Sequence, residues 1–128
     1  VGQGNCKPQP GDVIEIDRRG YQHWALYVGN RYVIHVTDQG DSSSSGSIAS
    51  VYTSRAKVKK ELLTTVAGND NWRVNNKYNH SHTPLPVNEI IRRAESQIGR
   101  DVSYDLFRKN CEHFVTELRY GVELCQQV

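Results

Sequence analysis

Apolar and polar residues alternate through the first part of the chain and give way to a helical spacing in the last third. Asp12 to Asp17 keeps the two-residue period of a half-buried strand, and Arg18-Arg19-Gly20 breaks it. His23 to Val28 and Tyr32 to Val36 are two further β-rich runs, separated by Gly29-Asn30-Arg31, a hairpin signal. Asp38 to Ser47, rich in Ser, Gly and Asp, reads as a mobile surface loop, and Ile48 to Thr53 fits a short helix or a turn. Ala56 to Leu63 and Trp72 to Asn75 read as strands joined through a Gly68-Asn69-Asp70-Asn71 turn. Tyr78 to Pro86, with two prolines, reads as loop. The period then changes. Ile90, Ile91, Ala94 and Ile98 fall on one side of a helix over Val87 to Ile98, which Gly99 stops. Tyr104 to Phe107 is too short to assign, and Cys111 to Tyr120 forms the last helix, burying Phe114, Val115 and Leu118. Strands first and helices last predict an α+β fold, a small antiparallel sheet packed against C-terminal helices. The chain shows no internal repeat.

Register decides what the hairpin can do, because a slip of one residue turns a side chain to the other face. A loop of Gly29-Asn30 alone would set His23 opposite Val36 and His35 opposite Trp24, with the two imidazoles on opposite faces. One extra residue in the turn, or one bulge, reverses this. With Gly29-Asn30-Arg31 as the loop, Val28 faces Tyr32 and Ala25 faces His35. His23 and His35 then share a face as diagonal neighbours, within about 7–8 Å. Trp24, Leu26, Ile34 and Val36 gather on the other, apolar face.

The 128 residues make one domain, 1–128, with room for one core. Seven tyrosines and two tryptophans mark a folded chain. A net charge of +2, without a basic stripe, is too small to argue for nucleic acid, and we expect no nucleic-acid partner. The three cysteines, Cys6, Cys111 and Cys125, are odd in number and form no CxxC pair, so we expect free thiols in a reducing compartment. No window approaches the ~18–20 apolar residues that cross a bilayer, and the opening residues are not a signal peptide. The absence of methionine leads us to expect a piece of a longer protein, cut from it or released by proteolysis.

Asn110-Cys111-Glu112-His113-Phe114 carries the chemistry. Asn is a favoured N-cap, so Cys111 is expected in the first turn of the last helix, where unpaired N–H groups and the dipole favour a thiolate. His23 and His35 would supply the base if the fold brings them together. In that case Cys111 attacks an ester carbonyl, His23 takes and returns the proton, and His35 orients His23. The Cys111 N–H at a helix start is a natural oxyanion donor, and Tyr21 and Asn110 are weaker candidates for that support. Each residue has a plainer use as well: a cysteine at a helix start is usually packed, and a strand histidine is usually structural. Zinc on His23, His35, Cys111 and His113 fits no known ligand spacing, and we expect no metal. His80 and His82 are expected to be solvated. Lys57, Lys59 and Lys60 read as a wet face that could also greet anionic headgroups.

The stretches Pro10 to Ile16, His23 to Gly29, Val74-Asn75-Asn76-Lys77 and Asn110 to Val115, with Leu118-Arg119-Tyr120-Gly121, resemble the HRAS-like suppressor family. These are also called phospholipase A and acyltransferase proteins, within the lecithin:retinol acyltransferase superfamily. The resemblance runs from about Lys7 to Val122. It implies a circularly permuted papain-like fold of the NlpC type, with histidine preceding cysteine, and a catalytic trio on His23, His35 and Cys111. The implied activity is calcium-independent release of a fatty acyl chain from the sn-1 or sn-2 position of phospholipids. The companion is transfer of that chain to the amine of phosphatidylethanolamine or to a lysophospholipid, through an acyl-cysteine and without a cofactor. Phosphatidylcholine and phosphatidylethanolamine are the implied substrates, met by a cytoplasmic monomer peripheral to membranes. Three departures stand out. Val36-Thr37-Asp38-Gln39 replaces a Leu-Ala-Pro-Pro-like stretch, which bears on substrate preference. Arg31 replaces a turn glycine, so a differently shaped turn is expected. The chain also stops where members often continue into an apolar anchor. A second relative, the H-box and Asn-Cys protein of some picornavirus polyproteins, implies the alternative of a non-enzymatic module that binds host factors.

Overall fold

The structure, a computed structural model, describes residues 7–38, 55–122 and 124, with the backbone alone at 38, 55 and 103–111. The loop expected over Asp38 to Ser47 and the ambiguous Ile48 to Thr53 lie outside the described residues, Asp38 apart.

Strands β1 (Val13–Arg18), β2 (Tyr21–Gly29) and β3 (Tyr32–Asp38) form where period-2 alternation predicts them. Strand β4 (Arg55–Leu62) runs directly into a five-residue helix α1 (Leu63–Ala67), and β5 (Trp72–Val74) follows. Helix α2 (Val87–Gln97), strand β6 (Asp101–Ser103) and helix α3 (Tyr104–Tyr120) complete the order. The six described strands make one antiparallel sheet in the order β5-β1-β2-β3-β4-β6. The architecture is α+β, as the element order predicts.

Alternation sorts the sheet into two faces. Trp24, Leu26, Ile34, Val36, Ala56 and Val58 pack with Ile90 and Ala94 of α2 and Val115 and Leu118 of α3. On the other face Ile14, Ile16, Ala25, Tyr27 and Val33 pack under Leu63, Val66 and Ala67 of α1. Each fully buried Ile or Leu here contributes roughly 1.5–3 kcal/mol. Of the helical stripe, Ile90 and Ala94 are buried, whereas Ile98 lies past the helix end and is exposed.

Four details differ from expectation. Helices α1 and strand β6 are too short to carry a periodic signal of their own. Lys77–His80, placed in or beside a loop by its composition, forms a 3₁₀ turn. Tyr104 to Tyr120 is one continuous helix, so Asn110 is not its cap and Cys111 is not in its first turn. Tyr104, Phe107, Cys111, Phe114 and Leu118 follow the i, i+3, i+7 spacing of one helical face. Such a spacing favours a helix that continues through Asn110 over the residue's local preference for a cap. Finally, the β2–β3 loop is the two residues Asn30 and Arg31, and the expected shift of register comes from an extra residue, Val28, between Tyr27 and Gly29.

Asn30 and Arg31 both hold positive φ, 55° and 73°, the conformation of a tight primed hairpin turn. The turn is therefore not reshaped around Arg31. Its N–H donates to the Tyr27 hydroxyl at 2.8 Å, and its carbonyl accepts from Leu63 N–H at 2.8 Å, which tie it in place.

Side-chain and backbone hydrogen bonds staple the start of β1 to the segment after β5 and to the end of α3. Gly11 N–H donates to Tyr27 O at 2.7 Å with φ of 95°, and a Cβ there would press on Ile90. Buried Arg119 donates from Nη1 to Gly11 O at 2.7 Å and from Nη2 to Asn79 Oδ1 at 3.2 Å. Tyr120 adds its hydroxyl to the same Asn79 oxygen at 2.8 Å. Asn76 accepts from Val13 N–H at 2.9 Å and donates to Asp12 Oδ1 at 3.1 Å, fixing the chain after β5 to the start of β1.

A left-handed non-glycine residue costs about 1 kcal/mol that glycine avoids. Arg31→Gly is therefore expected to raise stability by about 0.5–1 kcal/mol in urea denaturation. An unchanged or lower midpoint would show that Arg31 is not strained.

Candidate functional site

The bulge at Val28 sets Ala25 opposite His35, the pairing on which a shared histidine face depends. Both rings are buried, His23 at 5% and His35 at 3% exposure. Their centroids stand 5.1 Å apart in an edge-on arrangement, and His23 Nε2 lies 2.8 Å from His35 Nδ1. The line continues, because His35 Nε2 lies 2.8 Å from Oε1 of Glu61 on β4.

Burial first, then the charges of His35 and Arg18, push His23 down to about 3. Burial also lowers His35, against the hydrogen bond and charge of Glu61, while Arg18 and Lys59 lower it further. Both rings are therefore neutral at pH 7, and the contact with Glu61 is a neutral N–H donating to a carboxylate rather than an ion pair. The polarity of the whole relay follows. A carboxylate accepts only, so His35 carries its proton on Nε2 and accepts at Nδ1. His23 must then donate from Nε2, which leaves its Nδ1 with a free lone pair. A neutral imidazole with a bare nitrogen, held by a second imidazole and a carboxylate, can accept a proton.

Glu61 was not apparent from sequence, where the lysines around it suggested only a wet strand. The signal was present in the β3–β4 pairing: Val33 faces Glu61 and His35 faces Lys59, so Glu61 projects on the histidine face. Lys57 pairs with Asp101 at 2.9 Å and Lys60 with Glu95 at 3.1 Å, in keeping with the solvated reading. His80 is exposed, while His82 is half-buried beside Ser81 and the rings of Tyr78 and Tyr120.

Tyr21 stands two residues before His23, on the same face by strand parity, and is 58% exposed. The side chains of Cys111 and Asn110 lie outside the described residues. Their helix can be placed. Glu112 pairs with Lys77 at 3.1 Å, and Lys77 lies 5.1 Å over the Trp24 ring. At the other end Arg119 reaches Gly11, beside Tyr27. Helix α3 thus runs along β2 from Trp24 toward Tyr27. Val115 and Leu118 pack on the face opposite the imidazoles. The structure brings His23 and His35 together; among the described residues it does not bring α3 onto their face.

The lecithin retinol acyltransferase family model matches residues 6–124. Human phospholipase A and acyltransferase 2 is 52% identical over 124 residues, 95% of this chain and 76% of its own. The mouse phospholipase A and acyltransferase 3 is 53% identical over 124 residues, again 95% and 76%. Human phospholipase A and acyltransferase 1 is 54% identical over 121 residues, 94% of this chain and 72% of its own.

A lowered imidazole binds fewer protons in the folded than in the unfolded chain below an ordinary value near 6.5. The stability it contributes is complete above that value and is lost as pH falls toward about 3. Urea denaturation is expected to lose about 1 kcal/mol from His23 between pH 7 and pH 5.5, with His35 acting in the same direction. The loss is smaller in His23→Gln. A flat profile would mean that the rings are not held neutral.

Proposed function

Because this chain belongs to the lecithin retinol acyltransferase family, we propose that it removes fatty acyl chains from phospholipids and transfers them, through a thioester on Cys111. The observation that carries this reading is the His23–His35 relay, preformed at 2.8 Å with one imidazole nitrogen left bare. The relatives' names, phospholipase A and acyltransferase, support the reaction class. Histidine preceding cysteine supports the finer reading of a circularly permuted, NlpC-type papain-like domain.

His23 Nδ1 accepts the Cys111 proton as Sγ attacks the ester carbonyl, and the carbonyl oxygen becomes an oxyanion. The tetrahedral adduct collapses with cleavage of the C–O bond. The departing lysophospholipid oxygen takes the proton back from His23, and the acyl chain remains on sulfur. Water, the amine of phosphatidylethanolamine or a lysophospholipid hydroxyl then attacks the thioester and gives its proton to Nδ1. The C–S bond breaks, and the thiolate recovers that proton. His35 holds the ring of His23 throughout and is a positioning residue. Oxyanion support falls to Tyr21 or Asn110. The Cys111 N–H is not used for it, because that group lies inside a helical turn.

This chemistry requires the thiol to reach His23 around the Tyr21 end of β2. The Glu112–Lys77–Trp24 chain of contacts holds α3 beside β2 on the face opposite the imidazoles, which makes that strand end the route. Phosphatidylcholine and phosphatidylethanolamine are the proposed substrates, taken at the surface of a membrane by a monomer. The protein acts as one domain without a cofactor, in the cytoplasm.

Intact-protein mass spectrometry after incubation with micellar phosphatidylcholine is expected to show one acyl adduct, mapped to Cys111. The adduct is absent in Cys111→Ala, and fatty acid release falls by at least about 10³-fold. A folded wild-type protein that neither labels nor releases fatty acid would instead indicate a non-enzymatic interaction module on the same scaffold.

A further inference from the structure

Two neutral imidazoles in line admit two directions of donation, and only one of them leaves His23 able to accept a proton at Nδ1. Nothing in either ring chooses between them. The choice comes from the far end of the line, where Glu61 Oε1 sits 2.8 Å from His35 Nε2. The other charged groups that bear on His35, Arg18 and Lys59, are cations, which oppose its charging without selecting a tautomer.

We infer that Glu61 is a positioning residue that sets the direction of the His35–His23 relay and so keeps Nδ1 of His23 bare. The inference rests on His23 being the base, but the tautomer is measurable without that premise. An amide at the same position would lose the one-way character. A glutamine can donate to His35 Nε2; His35 then carries its proton on Nδ1 and donates to His23 Nε2. The His23 proton moves to Nδ1, the atom required to take one from the thiol. Glu61 is 37% exposed on the sheet's surface, so the exchange leaves both cores intact.

The tautomers are read by ¹⁵N–¹H correlation of the imidazoles in labelled protein at pH 7.5, without substrate. Wild type is expected to carry both protons on Nε2, with Nδ1 of His23 unprotonated. Glu61→Gln moves the His23 proton toward Nδ1. It lowers kcat on micellar phosphatidylcholine about 10²–10³-fold, with KM changing less than about threefold. Glu61→Asp, still acceptor-only, keeps the wild-type tautomers and recovers most of kcat. Wild-type His23 protonated on Nδ1 would overturn the inference, as would a Glu61→Gln protein with unaltered tautomers and kcat. Wild-type tautomers that shift in Glu61→Gln support it even if no acyl chain is transferred, and in that case the proposed function alone fails.

Discussion

One surplus residue in an antiparallel ladder determines what this sheet can do. Side chains on a strand alternate, so the parity of the β2–β3 hairpin decides whether His23 and His35 meet or turn away from each other. Val28 supplies the odd count, and Ala25 then pairs with His35. The same parity gathers Trp24, Leu26, Ile34 and Val36 under α2 and α3. The apolar face therefore enforces the polar one. A slip that separated the imidazoles would also expose four core side chains, at a cost of several kcal/mol. The histidine pair is held in register by burial it takes no part in.

The neutral state of the pair follows from where that register puts it. The rings stand at the margin of the cluster formed by Ile14, Ile16, Ala25 and Val33, which α1 covers. Desolvation there outweighs the help of a carboxylate for His35 and has no carboxylate to oppose it at His23. Arg18, hydrogen-bonded to Val66 O at 3.0 Å and Asp70 at 2.9 Å, keeps a positive charge nearby and adds to the effect. Protons in such a site are placed by hydrogen-bond direction rather than by bulk pH.

The sequence made most of this legible because long alternating strands advertise their faces. Counting residues around Gly29 made the shared face of His23 and His35 conditional on an odd register, and could not tell a longer loop from a bulge. Arg31 was read as a residue that would reshape its turn, yet the flanking strand pairing and two backbone hydrogen bonds hold it at φ of 73°. The start of the last helix was misplaced because a local preference, Asn as a cap, was weighted above an apolar spacing that continues back to Tyr104. Glu61 escaped notice for a different reason. Its significance lies in a partner on the neighbouring strand, 26 residues away in the sequence, and nothing local marks an acid among lysines as more than solvated. The family motifs were visible throughout, but the structure divides their labour. Asn76, Arg119 and Tyr120 tie β1 to the neighbouring segments, and the histidine stretch presents the buried imidazole pair.

The depressed basicity of His23 constrains how the proposed thiol chemistry can proceed. An imidazole pushed down to about 3 cannot hold a thiol proton at equilibrium near neutral pH, since an ordinary thiol releases it only near 8.5. The lowered basicity of His23 therefore works against a resting thiolate–imidazolium pair in the proposed chemistry. Two changes would narrow the gap together. A sulfur brought against Nδ1 places a developing negative charge beside the ring and favours its protonation. The oxyanion that forms as sulfur attacks consumes the thiolate as it appears. Proton transfer and carbon–sulfur bond formation must then be coupled, with the substrate carbonyl already in place.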